Sequence, residues 1–296
     1  MDRKSRVDAL GAAALITFSV LLGLNQALVK LVNVGLAPAF QVGLRSLCAF
    51  FIVLAAALLL RRKLSISNGS LLPGILSGLL FSVEFYLLFT ALEYTTVSRV
   101  SMLFYTQPFW VVLGAHFLLP GERMDRMKVM GLVFAISGIS LLLWNTDETL
   151  RQATFIGDVM CILASLSWAA IVLLVRKSSL SRSSPEMQLL YQLAISGVVL
   201  TALAPFLGDT IRNLDTGIVL IFAFQVIVVV SLGFLLWFWA LSVYPASDMA
   251  SFGLLAPLFG VFFGWLIFDD ELTIRFIIAM GLVCIGILLN NRARKN

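Results

Sequence analysis

The chain has 296 residues, of which 60% are hydrophobic and 12% charged, and its mean hydropathy is +1.00. Soluble domains carry about 25% charged residues, so no water-soluble fold of this length could hide so much apolar surface, and lipid must be the solvent for most of it. The net charge of +5 would suggest anionic partners in a soluble protein. Here the cations sit in short loops beside apolar runs, as membrane topology demands, and no basic stripe with interleaved aromatics points to nucleic acid.

A spanning helix needs about 20 mostly apolar residues. Ten such segments follow one another, at 9–33, 38–60, 71–92, 96–119, 126–144, 155–177, 184–207, 215–242, 247–268 and 272–291. The first follows a short cationic lead, Met1 to Arg6, and runs to Val32. That is too long for the apolar region of a cleaved signal peptide, so it reads as a retained helix. The breaks carry turn or polar residues: Gly35 to Pro38, Arg61 to Lys63, Asn145 to Glu148, Ser181 to Pro185, and Asp269 to Glu271. Alternation of apolar and polar residues, the sign of a membrane barrel, is absent. The expected architecture is an all-α membrane protein with ten transmembrane helices. Cys48, Cys161 and Cys284 each fall inside an apolar segment, far apart, and read as free thiols.

Loop charges orient these spans. With the N-terminus inside, the inner side receives Arg3, Lys4, Arg6, Arg61, Arg62, Lys63, Arg123, Arg126, Lys128, Arg176, Lys177, Arg182, Arg292, Arg294 and Lys295, 15 of the 21 cations. The outer loops receive Asp147, Glu148, Asp209, Asp215 and Asp269 to Glu271. This partition places both termini in the cytoplasm, with the chain in the cell inner membrane.

The two halves resemble each other. Ala91-Leu92 recurs as Ala240-Leu241, Ser98 as Ser247, Pro108 as Pro257 and Glu122 as Glu271, all at an offset of 149. Met130-Gly131-Leu132-Val133 recurs as Met280-Gly281-Leu282-Val283 at an offset of 150. Gly11 and Pro38 find counterparts in Gly157 and Pro185. Residues 1–146 and 147–296 therefore read as two repeats of five spans. Because five is odd, the second enters the membrane with the opposite orientation, the inverted-topology repeat of secondary transporters.

The most specific stretches are Ala91 to Glu122 with Met130 to Leu143, and Ala240 to Glu271 with Met280 to Leu289. Each is a helix with a central proline, an acidic residue at the loop, and a glycine-spaced final helix. In this pattern, and over nearly its whole length, the chain resembles the EamA-domain proteins of the drug/metabolite transporter superfamily. That resemblance implies two five-helix inverted-topology repeats around a central cavity that serves alternating access. It leaves the cargo open, since related carriers move amino acids, nucleotide precursors, vitamins and toxic amphiphiles.

Several residues stand out as candidate cavity residues. Pro108 and Pro257 each fall near the middle of a span, where a proline removes a backbone hydrogen bond and frees the carbonyl four residues earlier, Phe104 or Gly253. A packing kink and a cavity-lining kink both fit. Arg45 and Glu84 lie about 10–12 Å below the outer ends of the second and third spans. A charge at that depth needs a partner or water, so the two are expected to pair, structurally or as a site for a zwitterion or a proton. Asn25, Gln26, Gln41, Gln192 and Gln225 are polar groups within apolar helices, suited to interhelical hydrogen bonds or to substrate contact. The second half has Gln192 and Gly233 where the first has Arg45 and Glu84, which confines the charge to one half. Tyr86, Tyr105 and Trp168 are the aromatic candidates. The Gly74–Gly78 and Gly260–Gly264 spacings read as helix packing, His116 as an interfacial histidine, and Asp248 after Ser247 as a helix cap.

No zinc-protease, nucleophile-elbow or phosphate-loop motif is present, so neither an enzyme nor an ATP-driven pump is expected. The reading is a secondary carrier of small organic metabolites, amino acids or related amphiphiles first, with export ranked ahead of import. The alternatives are an importer of a vitamin or nucleotide precursor, and a channel. The expected partners are a small-molecule substrate and the lipid bilayer, with no cofactor, no metal and no nucleic acid, in a monomer or homodimer.

Overall fold

The structure is a computed structural model and describes residues 7–62, 64–66, 69–119, 122, 124–144, 148–244, 252–253 and 255–292. Its regular structure is helical throughout these residues, apart from an isolated bridge between Leu36 and Ile211. The helices are α1 (Ala9–Asn33), α2 (Pro38–Leu59), α3 (Leu71–Tyr94), α4 (Val97–Phe104), α5 (Gln107–Leu118), α6 (Arg126–Leu143), α7 (Glu148–Lys177), α8 (Pro185–Leu203), α9 (Thr216–Phe224), α10 (Gly233–Val243), α11 (Leu255–Phe268) and α12 (Ile274–Arg292).

Local sequence explains where several of them start. Asp8, Asp125, Ser184 and Asp215 accept from backbone N–H groups of the first turns of α1, α6, α8 and α9. Pro38 and Pro185 open α2 and α8, where a missing N–H has no cost. Ser247 and Asp248, expected to cap the ninth span, lie outside the described residues.

Among the described residues, seven stretches are long and apolar enough to cross a membrane: Ala9–Asn33, Pro38–Leu59, Leu71–Tyr94, Arg126–Leu143, Thr154–Lys177, Pro185–Phe206 and Thr216–Trp237. Leu255–Phe268 and Ile274–Asn290 are shorter apolar helices. Large apolar side chains such as Phe51, Leu72, Val133, Phe206 and Ile274 are exposed on the outside of the bundle. In water that surface would be costly; in a bilayer it is the ordinary exterior.

Two spans are not continuous α-helix. The expected helix over 96–119 is broken at Tyr105 and Thr106 into α4 and α5. Pro108 therefore lies in the first turn of α5, not within an uninterrupted helix. Pro108 cannot donate to the Phe104 carbonyl, and at the break the Thr106 hydroxyl donates to the Leu103 carbonyl at 2.6 Å. Pro257 likewise lies in the first turn of α11. Between α9 and α10 the chain is π-helical over Gln225–Leu232, and the Ser231 hydroxyl donates to the Val226 carbonyl at 2.8 Å.

The helices pack in a recognisable pattern. α1 lies against α11, α2 against α8, α3 against α7 and α8, α4 against α7 and α11, α5 against α7, and α6 against α12. The α6–α12 contact is close enough to bring backbones together. A Cβ at Gly131 would meet the Gly286 carbonyl oxygen at 2.8 Å, one at Gly286 the Gly131 oxygen at 2.7 Å, and one at Gly138 the Ala279 oxygen at 2.8 Å. Gly74 and Gly78 receive Tyr191 and Ile195 of α8, while Gly260 and Gly264 receive Ser101 and Ser98 of α4. Removing the side chain is what lets these helices approach.

Gly131→Val should lower stability by about 1–3 kcal/mol through overpacking, seen as a reduced Tm of the detergent-solubilised protein. Gly281→Ala, on the same helix pair but with nothing within 4 Å of the added carbon, should leave Tm unchanged or slightly raised. Equal losses in the two variants would contradict a backbone-to-backbone α6–α12 interface.

Candidate functional site

The buried stripe of α2 carries Gln41, Val42, Arg45, Ser46 and Ala49, and that of α3 carries Ser77, Phe81, Glu84 and Leu88. Helical spacing thus turns Arg45 and Glu84 inward, and both are almost wholly buried, at 4% and 1% exposure. The Arg45 guanidinium lies 4.8 Å from the ring centre of Phe85 and 4.6 Å from that of Phe89. Glu84 immediately precedes Phe85. The expected pair nevertheless does not close: among the described residues Arg45 forms no ion pair, and Glu84 Oε2 has no hydrogen-bond partner. Burying an ion costs several kcal/mol, against which cation–π contact returns about 2 kcal/mol.

Other candidates lie in the interior of the bundle. Gln41 Nε2 donates to Gln225 Oε1 at 3.3 Å, across from α2 to the π-helical stretch, and Gln41 Oε1 and Gln225 Nε2 have no partner. On α1, the side-chain oxygens of Asn25 and Gln26 are buried and also without partners. Tyr86 and Tyr105 pack against the cluster of Leu88, Phe89 and Leu103. Gln192 and Trp168 are not part of this group. Gln192 donates to the Ser77 hydroxyl at 3.1 Å, an interhelical bond between α8 and α3, and Trp168 is half-buried on α7. Pro108 and Pro257 bear on the site indirectly, by ending the α4 ladder and opening α11. A groove of about 300 Å³ lined by Leu76, Leu79, Leu80, Val83 and Leu174 lies on the outer surface of the bundle and has no polar group in its lining.

The break after α4 adds polar atoms that the sequence reading passed over. Thr106 and Gln107 are buried, the Thr106 and Ser165 hydroxyls are 3.3 Å apart, Trp110 Nε1 donates to Thr106 Oγ1 at 3.2 Å, and Gln107 Oε1 and Ser101 Oγ lack partners. The available signal was the run Tyr105-Thr106-Gln107 ahead of Pro108, polar residues where an apolar helix should continue.

Both ends of the bundle are tied by polar contacts that were also missed. Where α1 and α3 end, Lys30 Nζ donates to the Thr95 carbonyl at 2.9 Å and lies in the field of Asp270. Asp270 accepts from the Ser98 N–H at 2.8 Å. The expected acidic counterpart of Glu122 was Glu271, but Glu271 is exposed and its neighbour Asp270 makes the contact. Arg99 Nε donates to Asp158 Oδ1 at 3.1 Å, the Arg99 Nη2 also pairs with Asp158 Oδ2, and Thr95 Oγ1 donates to Asp158 at 3.2 Å. Arg212 pairs with Glu93 and donates to the Asn33 carbonyl at 3.1 Å.

Where α1 begins, Tyr244 donates to Asp8 at 2.6 Å. Arg176 Nη1 donates to Glu122 Oε2 at 3.0 Å, Arg62 pairs with Glu186 at 3.1 Å, and the Ser179 hydroxyl donates to the Gly69 carbonyl at 2.7 Å. His116 Nδ1 accepts from the Met124 N–H at 3.3 Å, an interfacial bond with a loop. No group of His, Cys, Asp and Glu among the described residues is arranged to hold a metal ion.

The EamA-like transporter family matches the chain twice, over residues 9–144 and 155–292. Among curated proteins, the uncharacterized transporter YoaV of Bacillus subtilis (strain 168) is 27% identical over 78% of this chain and 79% of its own. The uncharacterized transporter YvbV of the same organism is 26% identical over 96% and 92%. A probable amino-acid metabolite efflux pump of Escherichia coli (strain K12) is 24% identical over 97% and 95%. A solved crystal structure of 18% identity shares the fold with a TM-score of 0.65, covering 96% of this chain and 99% of its own. Two family matches spanning nearly the whole length, with apolar helices throughout, make this chain a multi-pass membrane transporter, not an enzyme: it belongs to the EamA-like transporter family.

Proposed function

We propose that the protein is a secondary carrier that exports amino acids or related amphiphilic metabolites across the cell inner membrane by alternating access. In this reading ten spans form two inverted repeats, residues 1–146 and 147–296, with both termini in the cytoplasm.

One observation carries the reading: the end contacts recur at opposite ends with the repeat offset. Thr95 and Asp158 meet at one end, while Tyr244 and Asp8, displaced by 149 and 150 residues, meet at the other. Close packing follows suit, since a Cβ at Gly157 would strike Thr95 and one at Gly11 would strike Tyr244. Lys30 donates to the Thr95 carbonyl at one end and Arg176 donates to Glu122 at the other. The loop before α2 bonds to the loop before α9, Ala37 N–H to the Thr210 carbonyl at 3.0 Å. At the opposite end the segment after α7 bonds to the loop before α3. Two related latches on opposite faces suit a machine that opens one while the other stays shut. The substrate class draws support from the relative described as a probable amino-acid metabolite efflux pump, and from the charged and amide groups around Arg45 and Glu84.

Proteoliposomes preloaded with unlabelled amino acid should take up labelled amino acid faster than empty ones, and the initial rate should saturate. Uptake that is linear with concentration and indifferent to preloading would make the protein a channel. The latches can be tested in a background with Cys48, Cys161 and Cys284 replaced by Ser and Gln107 replaced by Cys. Arg176→Gln should raise labelling of that cysteine by an impermeant maleimide from the cytoplasmic face, and Asp158→Asn should raise it from the opposite face. The same pattern in both variants would remove the latches from the mechanism.

A further inference from the structure

Arg45 and Glu84 form an arrangement that a purely structural ion pair does not explain. A structural pair in an apolar interior closes to contact, because only direct, hydrogen-bonded contact offsets the desolvation of both ions. Here the two charges sit on buried faces of neighbouring helices without touching. The guanidinium is laid over Phe85 and Phe89 at 4.8 and 4.6 Å. The carboxylate, on the residue before Phe85, keeps an oxygen with no partner. The rings form a line, Phe81 to Phe85 at 4.4 Å between centres and Phe85 to Phe89 at 5.8 Å. Two amide groups, Gln41 Oε1 and Gln225 Nε2, are left with unused hydrogen-bonding capacity.

We infer that Arg45 and Glu84 together bind the zwitterionic head of a free α-amino acid with a bulky apolar side chain, Arg45 taking the α-carboxylate and Glu84 the α-ammonium. This rests on the carrier reading above and adds the chemistry of the cargo. The carboxylate and ammonium of an α-amino acid stand one carbon apart, so one small molecule can answer both buried ions at once. A lone anion would answer Arg45 and be repelled by Glu84, and a lone cation the reverse, so the pair selects against singly charged compounds. The aromatic line beside the charges provides a surface for the apolar side chain. Gln41 and Gln225 add neutral donor and acceptor groups from α2 and the π-helical stretch. The second half offers Gln192 and Gly233 in the corresponding places, so both charges that hold the head come from the first half.

The test is binding of phenylalanine, phenylalanine amide and N-acetylphenylalanine to the purified full-length protein by calorimetry, alongside counterflow in proteoliposomes. Phenylalanine should bind, and each derivative, having lost one charge, should bind at least about tenfold more weakly, as expected for losing a charge-assisted hydrogen bond. In Arg45→Gln the preference for phenylalanine over its amide should disappear. In Glu84→Gln the preference over the N-acetyl compound should disappear. Equal affinity of the unmodified protein for phenylalanine and either derivative would overturn the proposal, as would failure of phenylalanine, leucine and methionine all to bind. The first result needs no variant, so a misfolded mutant cannot mask it. Saturable counterflow of a monocarboxylate or a simple amine, without binding of any amino acid, would retain the carrier and discard the zwitterion. Absence of counterflow for every compound would remove the carrier itself.

Discussion

The exclusion of water from a bilayer's interior governs this structure. In hydrocarbon each backbone N–H and C=O must be answered within the protein, which leaves helices as the available form for these apolar segments. The same rule shapes the departures from helix. The ladder stops at Tyr105, and the Thr106 hydroxyl answers Leu103. It widens over Gln225–Leu232, and the Ser231 hydroxyl answers Val226. Side chains compensate wherever the backbone cannot, and both irregularities fall in the interior, where the unpartnered polar atoms of Gln107 and Gln225 also lie.

Close packing and charge divide the remaining work. Glycines at 131, 138 and 286 let α6 and α12 approach until carbonyl oxygens of one helix reach the glycines of the other. At the ends of the bundle, where water is near, ion pairs and loop hydrogen bonds tie one repeat to the other. Exposed pairs such as Arg62–Glu186 add little energy. The largely buried Arg99–Asp158 pair, reinforced by Thr95, is a different matter, because removing either partner would strand an ion in an apolar setting.

What the sequence disclosed depended on the range of the interaction. Hydropathy located most of the described span edges to within a few residues, because lipid acts on each helix separately; α7 begins at Glu148, ahead of the expected 155, and the start expected at 247 lies outside the described residues. The repeat was legible because the Pro, Gly and acidic matches recur at a steady offset, and the family matches over 9–144 and 155–292 agree with it. The inward placement of Arg45 and Glu84 followed from the cost of burying charge. Their separation did not, since it depends on how Phe85 and Phe89 stand beside the guanidinium. That the break falls at Tyr105 and Thr106, ahead of Pro108, was not legible, because a proline announces a missing hydrogen bond but not the residue at which the preceding helix stops. Arg99 and Asp158, 59 residues apart in the chain, gave no local sign of each other, and the same holds for Gln41 and Gln225. Asp270 and Glu271 are adjacent carboxylates that only the fold distinguishes.

The α6–α12 seam has a mechanical meaning. Carbonyl oxygens there face glycine α-carbons, with Val283 and Leu289 packed beside them, so few gaps could be filled. Such a joint resists sliding, because displacement by even one carbon would drive backbone into backbone. It permits small rotations, since glycine faces are smooth. One helix from each family match meets the other at this joint, so the seam sets how closely the two matched segments can stand.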